Sequence, residues 1–312
     1  MPAVPLTTAI ATYGHTKALK DGTIQAERVA LEYLEVSPIT SAFRQMVRTL
    51  AFDVSEMAFS TYLCAHAYHK PITALPIFLL RRFEHGGIVY NVKSGMQSPL
   101  DLHGRRVGVR SYTLTPGVWV RGILQSAYGV DPNQVQWVLF GDEHVAEYVA
   151  PSHVTSAPAG RDMVSMLLAG EIDAAIGVSR VDAPEIRPLI PEARHAAIQY
   201  FQHTGIYPIS HLVVVKDELL HAHPWLAEEV CALFTAAKDD YLGHLRGGAP
   251  QTPQDEAVQA MRQVIGDDPL LYGVAPNRKT LEAFIRFNVE QQIIPRQMEV
   301  EELFPHSVLA LG

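Results

Sequence analysis

The sequence has little cysteine. Cys64 and Cys231 are the only two among 312 residues, and they stand far apart without a CxxC pair. Such spacing gives neither a disulfide framework nor a thiolate metal site, and both lie in apolar stretches, so we expect buried, inert thiols. No apolar run approaches the roughly 18 residues of a membrane-spanning helix. The N-terminus also lacks the basic segment of a signal peptide, so we expect a cytoplasmic protein without a membrane partner.

Positive charge is also scarce. The chain has 25 Lys plus Arg against 33 Asp plus Glu, a formal net charge of -8. Proteins that bind the phosphate backbone normally show the opposite balance, so we do not expect a nucleic-acid partner. An anionic small molecule stays open as a ligand, because local arginine placement decides that. At roughly 100–200 residues a domain, the length predicts two domains.

Several familiar chemical motifs are missing. The sequence has no G-x-G-x-x-G after a strand and no G-x-x-x-x-G-K-[ST], which disfavours dinucleotide and P-loop binding. It has no G-x-S-x-G nucleophile elbow and, among 14 histidines, no HExxH. Glu56, His85 and His211 are possible metal ligands, but their wide spacing carries almost no specificity. We therefore leave a metal requirement undetermined.

What the sequence does contain is an alternation of strand and helix patterns, typical of sheets covered by helices. The first part predicts strands over Leu6–Thr12, Val29–Val36, Phe52–Met57, Ile72–Leu80 and Gly87–Val92, and helices over Thr40–Leu50 and Phe59–His69. The middle predicts strands over Arg106–Arg110, Val135–Phe140, Asp173–Val178 and His195–Gln202, helices over Pro116–Tyr128 and Arg161–Gly170, and a loop over 142–160. The tail predicts a strand over His211–Lys216 and helices over Pro224–Gly243, Pro253–Ile265 and Asn277–Gln292.

This order predicts an α/β protein of two lobes, in which the second lobe interrupts the first. We assign residues 1–93 and 206–312 to lobe one and residues 94–205 to lobe two, with the ligand cleft between the lobes. Ligands of α/β sheets bind beyond the carboxyl ends of strands. The side chains expected there, by their place after predicted strands, are Tyr13, Glu56, Ser60, Arg81, His85, Tyr112, Thr115, Arg180 and His211.

Structural roles remain open for these same residues. Thr115 precedes Pro116 as a helix N-cap would, and Glu56 is placed to cap a backbone amide. Arg81 is equally compatible with a solvated ion pair. His211 closes a Gly-Ile-Tyr-Pro-Ile-Ser-His stretch, where a hinge hydrogen bond is as good an interpretation as proton transfer.

Longer segments resemble the 4,5-dihydroxyphthalate decarboxylase family nearly end to end. The matching segments are Phe52–Met57, Arg105–Val109, Val118–Leu124, Gly205–Ile209 with His211, Tyr272-Gly273, Pro276–Glu282 and Glu301–Phe304. The resemblance implies a type II periplasmic-binding-protein-like fold and decarboxylation of 4,5-dihydroxyphthalate to protocatechuate and CO2 in phthalate degradation, without a cofactor. The sequence departs from the family at Glu84, where the family has a basic residue, and at Ser111, where it has an acidic one.

This chemistry needs a general acid, a group that shares the phenolic proton and a cation for the carboxylates. We expect His211, ahead of His85, as the acid, and Glu56 as its orienting partner or as acceptor of the phenolic proton. Arg81 is expected to bind a carboxylate in bidentate geometry, and Tyr13, Ser60, Tyr112 and Thr115 to line the substrate. A homo-oligomer is possible. The alternatives are another lyase on this scaffold and a non-catalytic binding protein for an aromatic carboxylate.

Overall fold

The computed structural model describes residues 2–178 and 181–311 and separates the chain into two compact units. The first unit contains the chain up to Arg81, Ile209–Arg278 and the segment from Glu299 onward. The second unit contains Arg82–Pro208 and Lys279–Met298. Both units are therefore assembled from separate stretches of sequence.

The described residues form strands and helices that alternate along most of the chain. The strands are β1 (Val4–Ala9), β2 (Val29–Tyr33), β3 (Val54–Ala58), β4 (Ile72–Arg81), β5 (Ile88–Asn91), β6 (Arg106–Val109), β7 (Gln136–Leu139), β8 (Val154–Ser156), β9 (Ala174–Ile176), β10 (Ile186–Pro188) and β11 (Ile209–Lys216). The helices are α1 (Gly14–Lys20), α2 (Thr40–Thr49), α3 (Phe59–Ala67), α4 (Thr115–Tyr128), α5 (Met163–Ala169), α6 (Ala193–Thr204), α7 (Asp217–Ala222), α8 (Leu226–Gly247), α9 (Pro253–Ile265) and α10 (Arg278–Glu290).

The sheet of the first unit has the strand order β2-β1-β3-β11-β4. β1 pairs in parallel with β2 and β3, whereas β11 runs antiparallel to both β3 and β4. In β11, His211 lies opposite Ala58 and Ile209 lies opposite Arg81. The carboxyl ends of β3 and β4 therefore meet the amino end of β11 at one edge of the sheet. Because β3 is buried along its whole length, any polar side chain in it needs a partner within the protein.

The sheet of the second unit has the strand order β10-β5-β9-β6-β7-β8. Helix α4 packs against the second segment of this unit, where the Trp119 ring stacks on Phe284 at 4.5 Å between centroids. Gly122 lies against the Phe287 ring, and a Cβ atom there would come within 2.2 Å of that ring. Only glycine permits this close approach between α4 and the segment 279–298.

The boundaries of these units differ from the lobes assigned on sequence. β5 lies before position 93 yet pairs with β9 and β10, and residues 279–298 lie beyond 206 yet pack on α4. Neither contact has a local sequence signal, because each joins segments more than 80 positions apart.

Two predicted segments were wrong. His195–Gln202 belongs to helix α6, not to a strand. Its alanines and glutamines favour helix, and Gly205 ends it in the left-handed conformation with φ 72°. The predicted loop over 142–160 contains β8, which pairs with β7.

The bounds of α9 and the burial of both cysteines agree with the predictions. α9 spans Pro253–Ile265 as predicted, and Thr252 accepts a hydrogen bond from the Asp255 N–H as its cap. Both cysteines are free thiols and buried. None of the helices in the described part of the chain is long and apolar enough to cross a membrane.

Candidate active site

Three of the predicted site residues meet at the edge of the first sheet. The Tyr13 hydroxyl donates a hydrogen bond to Oε1 of Glu56 at 2.6 Å. Nδ1 of His211 lies 2.6 Å from the same oxygen. Oε2 of Glu56 accepts the backbone N–H of Ala11 at 2.9 Å. One carboxylate therefore holds a phenol, an imidazole and a backbone amide.

The strand register explains why these side chains meet. Glu56 lies opposite Val213 on β11, two positions from His211. Side chains alternate between the faces of a strand, so Glu56 and His211 are diagonal neighbours on one face. Tyr13 arrives from the turn between β1 and α1, where it is the N-cap residue of α1.

Burial and hydrogen bonding act in opposite directions on Glu56. Its side chain is fully buried, which raises the pKa of the carboxyl. The hydrogen bond and charge of His211, with the hydrogen bonds from Tyr13 and Ala11, outweigh burial and hold that pKa below its ordinary value. Burial first, and then the Glu56 charge, raise the pKa of Tyr13, so its hydroxyl keeps its proton and donates.

His211 is more accessible than the carboxylate it faces. Its side chain is 12% exposed, whereas Glu56 is not exposed at all. The imidazole edge packs on the Phe43 ring with 5.0 Å between centroids, which fixes the ring plane together with Glu56. The arrangement can orient one tautomer of a neutral imidazole and stabilise the charged imidazolium. It therefore suits a group that gives and takes a proton.

Arg81 ends the neighbouring strand β4 and is held by a residue that the sequence analysis did not single out as a site residue. Nη1 of Arg81 donates to Oδ1 of Asn277 at 2.7 Å and to the Leu271 carbonyl at 3.3 Å. Asn277 lies in the matching segment Pro276–Glu282, but 196 positions separate it from Arg81. Periodic patterns in a sequence do not indicate contacts between residues so far apart along the chain.

Ser60, also in the first unit, is buried in the first turn of α3, directly after β3. His85, Tyr112 and Thr115 belong to the second unit. Their proposed contacts with substrate stay predictions. Arg180 lies outside the described residues.

His85 is buried, and its Nδ1 has no hydrogen-bond partner among the described residues. Its ring packs edge-on against Tyr200, 5.3 Å between centroids. Burial lowers the pKa of His85 to about 4. The neighbouring departure from the family, Glu84, is buried and accepts a hydrogen bond from Nε of Arg82 at 2.8 Å.

The Tyr112 ring is also buried, under the guanidinium of Arg121 at 4.2 Å from the ring centroid. The N–H groups of Tyr112 and Thr113 donate to the carboxylate of Glu143 at 2.5 and 3.2 Å. Thr115 is the first residue of α4, and the N-cap position belongs to Leu114. The backbone before α4 therefore presents donors to a carboxylate.

The described residues contain no group of three or more His, Cys, Asp or Glu side chains placed to hold a metal ion. Glu56, His211, Tyr13 and Arg81 are the predicted site residues that lie at the ends of the strands in the first unit, and their action on a substrate stays a prediction.

Two curated proteins are similar to this chain in sequence. A 4,5-dihydroxyphthalate decarboxylase of Comamonas testosteroni is 29% identical over 321 residues, with 97% of each chain covered. A 4,5-dihydroxyphthalate decarboxylase of Pseudomonas putida is 33% identical over 185 residues, covering 57% of this chain and 71% of that protein. No protein-family model matches the chain.

Solved structures show the fold. The periplasmic aliphatic sulphonate binding protein SsuA of Escherichia coli aligns with a TM-score of 0.57 at 12% identity, over 97% of this chain and 92% of that one. The alkanesulfonate-binding protein SsuA of Xanthomonas axonopodis pv. citri aligns with a TM-score of 0.51 at 11% identity, over 97% and 98%. The fold is therefore periplasmic-binding-protein-like, as the sequence resemblance implied, and by its similarity to the two curated decarboxylases the chain belongs to the 4,5-dihydroxyphthalate decarboxylase family.

Proposed function

We propose that this protein decarboxylates a hydroxylated aromatic acid, with 4,5-dihydroxyphthalate as the substrate and protocatechuate and CO2 as the products. The observation that supports this most strongly is the pairing of Glu56 with His211 in a member of this family. Oε1 of Glu56 lies 2.6 Å from Nδ1 of His211, on the neighbouring strands β3 and β11. The reaction belongs to aromatic, and specifically phthalate, degradation. It needs no organic cofactor in the scheme that follows.

The reaction replaces a carboxylate by a proton on one ring carbon. A ring hydroxyl para to that carbon pushes electron density onto it, and the carbon takes a proton from a general acid. The bond to the carboxylate then breaks, its electron pair returns to the ring, and CO2 leaves. One proton is consumed in each turnover, so the site needs a group that delivers it and is reprotonated from solvent.

In our proposal His211 is that group. Its side chain is 12% exposed, and its Nδ1 lies 2.6 Å from the buried carboxylate of Glu56. Tyr13 donates to the same oxygen of Glu56, which keeps the carboxylate oriented when His211 has given up its proton. In this scheme Glu56 orients the acid.

Arg81 is proposed to bind the carboxylate group. It lies opposite Ile209, two residues before His211, so the cation and the proton carrier sit on adjacent strands. A guanidinium grips a carboxylate through two parallel N–H donors, which an ammonium group does not reproduce. Binding of the carboxylate near His211 sets the ring carbon within reach of the acid.

The direct test is to incubate the protein with 4,5-dihydroxyphthalate and to measure CO2 release and protocatechuate formation. Phthalate, which has both carboxylates but no hydroxyl, is the matched control, because it lacks the group that pushes electrons. We expect turnover of the first and binding without turnover of the second. Tight binding of both without CO2 release would identify a solute-binding protein, and turnover of a different aromatic acid would identify another lyase.

A further inference from the structure

Asn277 is a buried amide whose orientation is fixed by three contacts. Its Oδ1 accepts the hydrogen bond from Nη1 of Arg81 at 2.7 Å. Its Nδ2 donates to the carbonyl oxygens of Leu271 and Gly273 at 3.1 and 2.8 Å. A flipped amide would place oxygen against two carbonyls and nitrogen against a guanidinium, so only one orientation is compatible with these partners.

The segment that carries Asn277 is anchored without help from Arg81. The Gly273 N–H donates to the Pro76 carbonyl in β4 at 2.8 Å, and Gly273 adopts φ 88°, which other residues rarely adopt. The Tyr272 ring packs under Nζ of Lys238 in α8, 5.0 Å from the ring centroid. The frame around Asn277 is thus tied to the same strand that ends in Arg81.

Asn277 contacts the guanidinium of Arg81 through a single nitrogen. The contact uses Nη1, whose two hydrogens go to Asn277 and to the Leu271 carbonyl. Because the amide oxygen is neutral, it fixes the guanidinium without placing an opposite charge against it, as an aspartate here would.

We infer that Asn277 is a positioning residue that orients Arg81 for the carboxylate of the substrate. This inference rests on the proposed role of Arg81, and it adds a second residue through which carboxylate affinity is set. It predicts that Asn277 acts only through Arg81, so its effect on carboxylate binding disappears when Arg81 is absent.

The test is a double-mutant cycle on phthalate binding, measured by calorimetry with the full chain. The variants are Arg81→Ala, Asn277→Ala and the double variant. The control is Asn288→Ala, which removes an equally buried asparagine of the second unit, whose Nδ2 donates to the Phe284 carbonyl at 2.7 Å within helix α10. We expect Asn277→Ala to weaken binding about tenfold, Asn288→Ala to leave affinity unchanged, and the double variant to bind like Arg81→Ala.

The possible outcomes separate the two proposals. If Arg81→Ala leaves phthalate affinity unchanged, the proposed role of Arg81 fails. If Arg81→Ala weakens binding but Asn277→Ala does not, or if the two losses add in the double variant, the role of Asn277 is refuted. Should Asn277→Ala not fold, Asn277→Ser enters the same cycle, because its hydroxyl still donates to one carbonyl but is too short to hold Nη1.

Discussion

His211 in the first unit and His85 in the second are both imidazoles packed edge-on against an aromatic ring. They differ in what faces Nδ1. Nδ1 of His211 lies 2.6 Å from a buried carboxylate, whereas Nδ1 of His85 has no partner among the described residues. Burial alone favours the neutral ring and lowers the pKa of His85 to about 4. Burial without a charged partner thus lowers the pKa of His85, whereas His211 has a carboxylate beside it to balance a positive charge.

The largest expected effect is the loss of turnover when His211 is replaced by alanine, compared with the same replacement of His85. General acid catalysis contributes roughly 10²–10⁴-fold, so His211→Ala should reduce kcat for 4,5-dihydroxyphthalate by about that factor and change KM far less. His85→Ala should reduce kcat much less, because the pKa of His85 is lowered to about 4 and a neutral imidazole is too weak an acid to protonate the ring at neutral pH. Steady-state CO2 release from both variants measures this.

Calorimetric binding of phthalate is the control for both variants. His211→Ala should bind phthalate nearly as well as the unaltered protein. A loss confined to affinity, with turnover intact, would make His211 a binding residue. Equal losses of kcat in His85→Ala and His211→Ala would contradict the different roles proposed for the two histidines.

Glu56→Gln tests the counter-charge itself with almost no change in shape. Glutamine still accepts from the Tyr13 hydroxyl but cannot stabilise an imidazolium, so kcat should fall about 10²-fold. The pH dependence of stability gives a second measure. The pKa of Glu56 is lowered in the folded protein, so the carboxylate stabilises the fold above its ordinary value of 4.5, and this contribution is lost as the pH falls below it.

Urea unfolding of both proteins between pH 3 and 7 detects this loss. The unaltered protein should lose stability relative to Glu56→Gln below about pH 4.5. If the difference in the free energy of unfolding between the two proteins stays constant across that range, the pKa of Glu56 is the same in the folded and unfolded states.

Arg81→Lys should have a smaller effect on the reaction than His211→Ala or Glu56→Gln, and the effect should be confined to substrate binding. Lysine keeps the charge but loses the planar donor pair and the Asn277 contact, so KM should rise about tenfold, or about 1.4 kcal/mol. Arg187→Lys is the matched control, since Arg187 is exposed on β10. Equal KM values for the two variants would show that Arg81 does not grip the carboxylate.

The sequence predicts these elements well where the signal is local. β4 is an apolar run because it is buried, and α9 begins at the Thr252 cap followed by Pro253. The site is predictable only in part. Tyr13, Glu56 and His211 stand out because they follow or occupy strands, but their meeting at one oxygen depends on β11 inserting between β3 and β4. The pairing of β11 with β3 joins residues about 155 positions apart, and 196 positions separate Asn277 from Arg81. Neither contact produces a periodic pattern in the sequence.

The smallest expected effect is the contribution of His85 to the pH dependence of the protein's stability. In the folded protein its pKa is about 4 against an ordinary 6.5, so between these values the unfolded chain binds more protons than the native one. The stability of the protein should therefore be complete above about pH 6.5 and decline as the pH falls toward 4. His85→Phe keeps the aromatic contact with Tyr200 and removes the titration, so its stability should decline less over that window. His15, whose pKa is also lowered to about 4 by burial, is present in both proteins and cancels in the difference. Urea unfolding at intervals between pH 4 and 7.5 measures that difference, and a difference that does not change with pH would mean that His85 titrates normally and could hold a proton after all.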